Sequence, residues 1–278
     1  MLPPVARRFV AGETRDDALA HARSLNDDGV GAILNLLGEH YDDRGPADAD
    51  AAAYRELLAD IDDADLRARV SVKPSQLGLA IDESVFRENA RAVVEAAAAR
   101  DGFVWFDMED HPTTDATLDV FEAMTEVHPG GVGVCLQANL RRTPDDLERL
   151  AGFPGAFRLV KGAYDPPADI AYTSRRRVNR ALSALLEQAF RDHDGVVALG
   201  SHDPEMVDRT VALGEEYGTD YELQMLMGVR EAAQVELAAD HDVWQYVPYG
   251  RKWLSYFWRR VIERKENVLF ALRAVLGR

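Results

Sequence analysis

The sequence predicts an α/β protein, a distorted (βα)8 barrel, on three observations. Its 278 residues are close to the roughly 250 that such barrels use. Eight short apolar runs recur along it, at 30–37, 70–77, 103–108, 132–138, 157–163, 196–201, 221–227 and 243–247. Most of the intervals between them are Ala/Leu/Arg/Glu-rich stretches with helical patterning. Short strands alternating with helices imply right-handed βαβ units and a parallel sheet buried on both faces, and eight units suggest closure. An open doubly wound sheet is the weaker alternative, because no Gly-x-Gly-x-x-Gly follows any of the runs. One domain spanning residues 1–278 is expected, with about residues 1–28 forming a helical segment ahead of the first strand. The Asp/Ala-rich stretch 42–65 mixes acidic turns with a helix and is the expected place for irregular structure.

Composition narrows the function. Forty-eight acidic against 32 basic residues leave a net charge of -16, which would repel phosphate and argues against nucleic acid as a partner. Lys73, Lys161, Lys252 and Lys265 are the only lysines. Few lysines, many aspartates and abundant Ala and Val suggest adaptation to high salt, with the acidic runs as solvated faces rather than metal sites. Cys135 lies in an apolar run and reads as a small buried hydrophobe. With no transmembrane-length apolar segment and no signal-peptide pattern, a cytoplasmic location is expected.

Active sites of such barrels lie at the C-terminal ends of the strands, so polar residues that end apolar runs matter most. Taken in order, Ser-Val-Lys-Pro-Ser puts Lys73 after the second run. Trp-Phe-Asp-Met-Glu-Asp puts Asp107 and Glu109 after the third, and Cys-Leu-Gln-Ala puts Gln137 after the fourth. In Arg-Leu-Val-Lys-Gly-Ala-Tyr, strand alternation sets Arg158, Val160 and Gly162 on one side and Leu159, Lys161 and Ala163 on the other. Leu-Gly-Ser-His-Asp ends the sixth run with Ser201 and His202. Any one of these could be a strand-end ion pair or cap; together they mark a rim. After the eighth run, Tyr-Val-Pro-Tyr-Gly leads into a predicted helix that carries Tyr256, Arg259, Arg260 and Glu263 on one face. Two adjacent guanidinium forks suit bidentate capture of a carboxylate, although an amphipathic helix with surface arginines would share the pattern.

These motifs, in this order over nearly the whole chain, resemble the proline dehydrogenase family in its short monofunctional form. The resemblance runs from Arg-Arg-Phe-Val-Ala-Gly-Glu-Thr through Ser-Val-Lys-Pro-Ser, Phe-Asp-Met-Glu-Asp, Arg-Leu-Val-Lys-Gly-Ala-Tyr and Tyr-Val-Pro-Tyr-Gly to Tyr-Phe-Trp-Arg-Arg-Val-Ile-Glu-Arg. It implies a barrel with the last helix over its mouth and tightly but non-covalently bound FAD. It implies that Arg259 and Arg260, assisted by Lys73, hold the proline carboxylate, while Leu159, Tyr164, Tyr246 and Tyr256 shape the substrate pocket. Asp107 matches the family's acidic site residue and Arg158 the arginine beside flavin N5. Gln137 falls at the isoalloxazine, with Met108, Val160, Lys161, Gly162, Ala163, Ser201 and His202 along FAD. Glu263 matches the final-helix glutamate, as an ion pair or a cofactor contact. Two departures stand out: Asp165 where the long fusion proteins have an aromatic residue, and Ser201 where Thr is common.

The implied reaction is hydride transfer from proline C5 to flavin N5. It gives 1-pyrroline-5-carboxylate, and the electrons pass to a membrane quinone through at most peripheral contact at the inner face of the membrane. No metal is implied. Two rival readings are a Schiff-base aldolase using Lys73 or Lys161 and a non-catalytic proline-binding barrel.

Overall fold

The computed structural model describes residue 3 and residues 6–254. A helix, α1 (Arg15–Asp27), precedes the first strand. The chain then alternates β1 (Gly31–Leu36), α2 (Arg44–Asp63), β2 (Ala68–Val72), α3 (Glu83–Ala98), β3 (Val104–Phe106), α4 (Thr114–Val127), β4 (Val132–Gln137) and α5 (Thr143–Leu150). It continues with β5 (Ala156–Val160), α6 (Arg175–Asp192), β6 (Val197–Gly200), α7 (Pro204–Tyr217), β7 (Tyr221–Leu226), α8 (Glu231–Ala238) and β8 (Val243–Tyr249). Every strand pairs in parallel with its successor, and β1 pairs with β8 from Gly31↔Trp244 to Leu36↔Tyr249, which closes the barrel.

Alternation divides the strand residues between two environments. Outward residues such as Leu34, Val70, Val134 and Leu223 pack with Tyr54, Val93, Phe121 and Leu186 from the helices into the main core. Inside the barrel, Ile33, Trp105, Ala156, Ala198 and Trp244 form a second cluster. Two strand glycines make room for its indoles: a Cβ at Gly31 would sit 2.4 Å from the Trp244 ring, and one at Gly133 would sit 2.4 Å from Trp105.

Three local expectations need correction. The second run extends too far, because β2 ends at Val72 and residues 73–77 turn, with the Gln76 and Leu77 amides donating to the Lys73 carbonyl. Pro74, which lacks an N–H, enforces that end. The fifth run also overshoots: β5 ends at Val160, and Gly162 turns the chain at φ +112°. Stretch 42–65 is not irregular. Asp43 caps a 20-residue helix by accepting from the Gly45 amide, and Ala47, Ala51, Tyr54, Leu58 and Ile61 bury one face. The predicted last helix over the barrel mouth, with Tyr256, Arg259, Arg260 and Glu263, lies outside the described residues.

Candidate active site

The C-terminal ends of the strands surround a cavity of about 570 Å³, within the roughly 300–1,000 Å³ range of small-molecule sites. β2 contributes Lys73 just past its end, β3 Asp107 and Met108, β4 Cys135 and Gln137, and β5 Arg158 and Val160. Lys161, Gly162, Ala163 and Tyr164 follow β5; Ser201 and His202 follow β6; β7 adds Gln224, Met225 and Leu226, and β8 adds Tyr246. The turn at Gly162 overrides the predicted alternation. Because the chain leaves the sheet there, Lys161, Gly162 and Ala163 all line the cavity instead of facing opposite ways.

A buried polar cluster forms one wall. Asp107 Oδ1 accepts from Ser71 Oγ at 2.8 Å and from Arg158 Nη1 at 2.7 Å, while Oδ2 accepts from the Tyr246 hydroxyl at 2.7 Å. Arg158 is 5% exposed, and its charge is balanced by this carboxylate and by aromatic faces. Its guanidinium carbon lies 4.4 Å from the Trp105 ring centroid and 5.8 Å from that of Tyr246.

Around it, Lys161 Nζ donates to Asp203 Oδ2 at 2.7 Å. The hydrogen bond and charge of this ammonium hold the Asp203 carboxyl below the usual aspartate range, against the opposing effect of burial. Lys73 Nζ is 3.7 Å from Glu39 Oε2. Both strand-end lysines are thus engaged by carboxylates rather than held in the apolar or cationic setting that activates a Schiff-base amine. Ser201 Oγ accepts from the Asp203 amide, and His202 Nε2 accepts from the Leu226 amide. Glu109 turns away from catalytic use: it is buried and accepts from the Ser75 amide and hydroxyl, while its own carbonyl receives Gln137 Nε2. Cys135 is buried as expected, with its thiol pushed up to about 11 by desolvation, yet it also forms part of the wall.

Every predicted site residue within the described chain lines this cavity except Glu109, held by Ser75 as above, and Leu159. Leu159 is fully buried in the main core, on the other side of β5 from Arg158 and Val160. The sequence reading located β7 but missed its contribution to the cavity, Gln224, Met225 and Leu226, as well as the roles of Ser71 and Trp105. Polarity marks two of these strands, since Glu222 and Gln224 are polar residues two apart in an apolar strand and Arg69, Ser71 and Lys73 repeat the pattern in β2, but it does not say what they face, and Trp105 carries no such mark.

The wall fits a large, planar, anionic ligand such as FAD. Arg158 Nε and Gln224 Oε1 are buried without a partner among the described residues, leaving one donor and one acceptor for ligand edges. Gly200 keeps the wall shallow, since a Cβ there would lie 2.6 Å from Val160 Cγ1. Lys161 adds positive charge at the same wall. Tyr246, Tyr164 and Met225 supply apolar surface alongside.

Comparison with known proteins places the chain in a family. The proline dehydrogenase family model matches residues 18–273. A proline dehydrogenase of Deinococcus radiodurans is 34% identical over 280 residues, covering 98% of this chain and 90% of the relative. Proline dehydrogenase 1 of Bacillus subtilis is 31% identical over 275 residues, covering 98% and 90%. Among solved structures, proline utilization A of Bdellovibrio bacteriovorus, inactivated by N-propargylglycine, superposes with a TM-score of 0.85 at 22% identity. That match covers 93% of this chain and 32% of the larger one, so it speaks for the fold. The equivalent protein of Bradyrhizobium japonicum gives a TM-score of 0.73 at 22% identity, covering 92% and 30%. A parallel eight-stranded barrel with a cationic, aromatic rim, matched over nearly its full length by these relatives, belongs to the proline dehydrogenase family.

Proposed function

We propose that this chain oxidises L-proline to 1-pyrroline-5-carboxylate with FAD held in the cavity at the barrel mouth. Family membership over almost the whole sequence supports proline as the substrate. The observation that carries the chemistry is the joining of Arg158, Asp107 and Tyr246 in one buried cluster beside Lys161, Gln137 and Ser201. FAD, when bound, would supply the acceptor for the hydride, one proton with two electrons, that leaves proline C5. The protein's part is to bind, orient and exclude water.

In this reading Arg158, Gln137 and Gln224 meet the polar edge of the cofactor. Met108, Val160, Lys161, Gly162, Ala163, Ser201 and His202 hold its remainder, with Glu263 as a further contact. Arg158 and Lys161 bring positive charge to a cofactor that gains negative charge on reduction. Lys73, Arg259 and Arg260 hold the substrate carboxylate, while Tyr164, Tyr246 and Tyr256 enclose the ring. Asp107 fixes Arg158 and Tyr246: its two oxygens already accept three hydrogen bonds, which suits it to holding geometry better than to taking the amine proton. The electrons pass to a quinone through peripheral contact with the inner face of the membrane. No helix among the described residues is long and apolar enough to cross a membrane. Residues 1–278 act as one catalytic unit in the cytoplasm.

The test is an absorption spectrum. The purified protein should be yellow or become so with added FAD, and anaerobic L-proline should bleach it. A protein that neither retains nor takes up FAD, or whose FAD stays oxidised with proline, would overturn the assignment.

A further inference from the structure

We infer that Trp105 and Ser71 are positioning residues that hold the Arg158 guanidinium in place for the cofactor. The inference rests on the function proposed above, and three features of the barrel interior point to it.

Trp105 is fully buried, and its Nε1 has no hydrogen-bond partner among the described residues. An unpaired buried donor is costly, and a phenylalanine or leucine could occupy barrel space without it. An indole is, however, the strongest aromatic partner for a cation, and the Arg158 guanidinium carbon lies 4.4 Å from its ring centroid. The surroundings are shaped around this ring. Gly133 on the adjacent strand leaves the space a Cβ would deny, and Phe103 packs against the ring at 5.1 Å between centroids.

Ser71 supplies the second contact. Its hydroxyl donates to Asp107 Oδ1 at 2.8 Å and lies 3.4 Å from Arg158 Nη2. Its carbonyl accepts from Asn35 Nδ2 at 2.8 Å and from the Tyr54 hydroxyl at 2.9 Å, which locks the β2 backbone at that point. The guanidinium is therefore fixed by a carboxylate at one edge, an indole at its face and a hydroxyl near its second nitrogen. Its Nε is the guanidinium nitrogen with no hydrogen-bond partner among the described residues, and so the one left to answer the cofactor.

Because both residues act through the Arg158 charge, the test reads the bound flavin. Midpoint potential, proline kcat and KM, and melting temperature are measured for Trp105→Phe, Trp105→Leu, Ser71→Ala and Ser71→Thr. Each of the two indole substitutions is also made on an Arg158→Met background. A positioning role predicts a graded effect: kcat falls roughly three- to tenfold for Phe and further for Leu, following cation–π strength. The potential moves negative in the same order, and proline KM changes little. Ser71→Thr, which keeps the hydroxyl, recovers most of what Ser71→Ala loses. On the Arg158→Met background the indole substitutions no longer move the potential, since the interaction they remove is gone.

An unchanged potential in Trp105→Phe and Trp105→Leu, or equal shifts with and without Arg158, overturns the inference. If Arg158→Met itself leaves the potential untouched, the failure lies instead in placing Arg158 beside the cofactor. Should Trp105→Leu fail to fold, the Phe variant and the Ser71 pair still decide.

Discussion

At the scale of single residues, the barrel mouth works by pairing each buried or half-buried cation with a stated partner. For the carboxylate clamp, Arg259→Met and Arg260→Met should each raise proline KM about ten- to a hundredfold while FAD stays bound, because a charge-assisted hydrogen bond contributes roughly 1.5–3 kcal/mol. Steady-state kinetics with a flavin absorbance check measure this, and unchanged kcat/KM in both variants would remove them from the site. Arg→Lys should recover little, since an ammonium cannot reproduce a planar fork. Asp203 gives a pH signature. Lys161 holds its carboxyl below the ordinary 3.8, so the folded chain resists protonation that the unfolded chain accepts. Its contribution is therefore complete above pH 3.8 and is lost as pH falls from there through the lowered folded value. Urea melts at pH 5 and pH 3 should show that loss shrinking in Lys161→Met, where the partner is absent. An identical acid dependence would refute the pairing.

At the scale of elements, the turns after the strands carry as much of the site as the strands do. Gly162 shows why: it sits at φ +112°, and a Cβ there would come within 2.3 Å of Asn139 Oδ1. Gly162→Ala should therefore displace the turn that brings Lys161, Ala163 and Tyr164 to the cavity. The expected result is a protein that still folds but loses FAD on dilution, followed by flavin fluorescence. Full retention would mean the turn tolerates the change. The same turn marks where sequence reading ran out. Apolar runs bounded by turn residues located all eight strands, yet periodicity carried β5 past Val160 because Lys161-Gly-Ala-Tyr continues to alternate. Helix α2 was obscured for the opposite reason, since its aspartates and Gly45-Pro46 resemble a loop although Asp43 is a cap and Pro46 falls in the first turn.

At the scale of the whole molecule, the barrel and most of its rim were legible because strand-end polarity is a one-dimensional signal. Trp105, Ser71 and Gln224 were not. Their importance lies in what they face across the barrel, which depends on eight strands closing in register. The surface charge was readable, and several arginines reach acidic residues on neighbouring helices, as Arg149 of α5 does to Asp119 and Glu122 of α4, and Arg142 to Asp115 of α4. A net charge of -16 leaves many carboxylates repelling one another, and salt that shortens the Debye length from about 10 Å at 0.1 M to about 3 Å at 1 M should relieve this. Melting temperature and activity should rise from low to molar KCl, whereas a melting temperature indifferent to salt would contradict it.

The seam between β1 and β8 has a consequence for how the protein is made. Leu36 pairs with Tyr249, so the first strand of the sheet waits for the last before its second edge is covered. On a ribosome adding roughly 5–20 residues per second, that edge stays open for about ten seconds or more. Until then the indole of Trp244 is missing from the interior, and so is the hydroxyl of Tyr246 that completes the acceptors on Asp107. An arginine destined for burial must meanwhile remain hydrated in a half-built cylinder. Emergence of β8, rather than earlier local strand pairing, would then time the appearance of a competent pocket, and truncation anywhere before β8 should yield an aggregation-prone open sheet instead of a smaller working barrel.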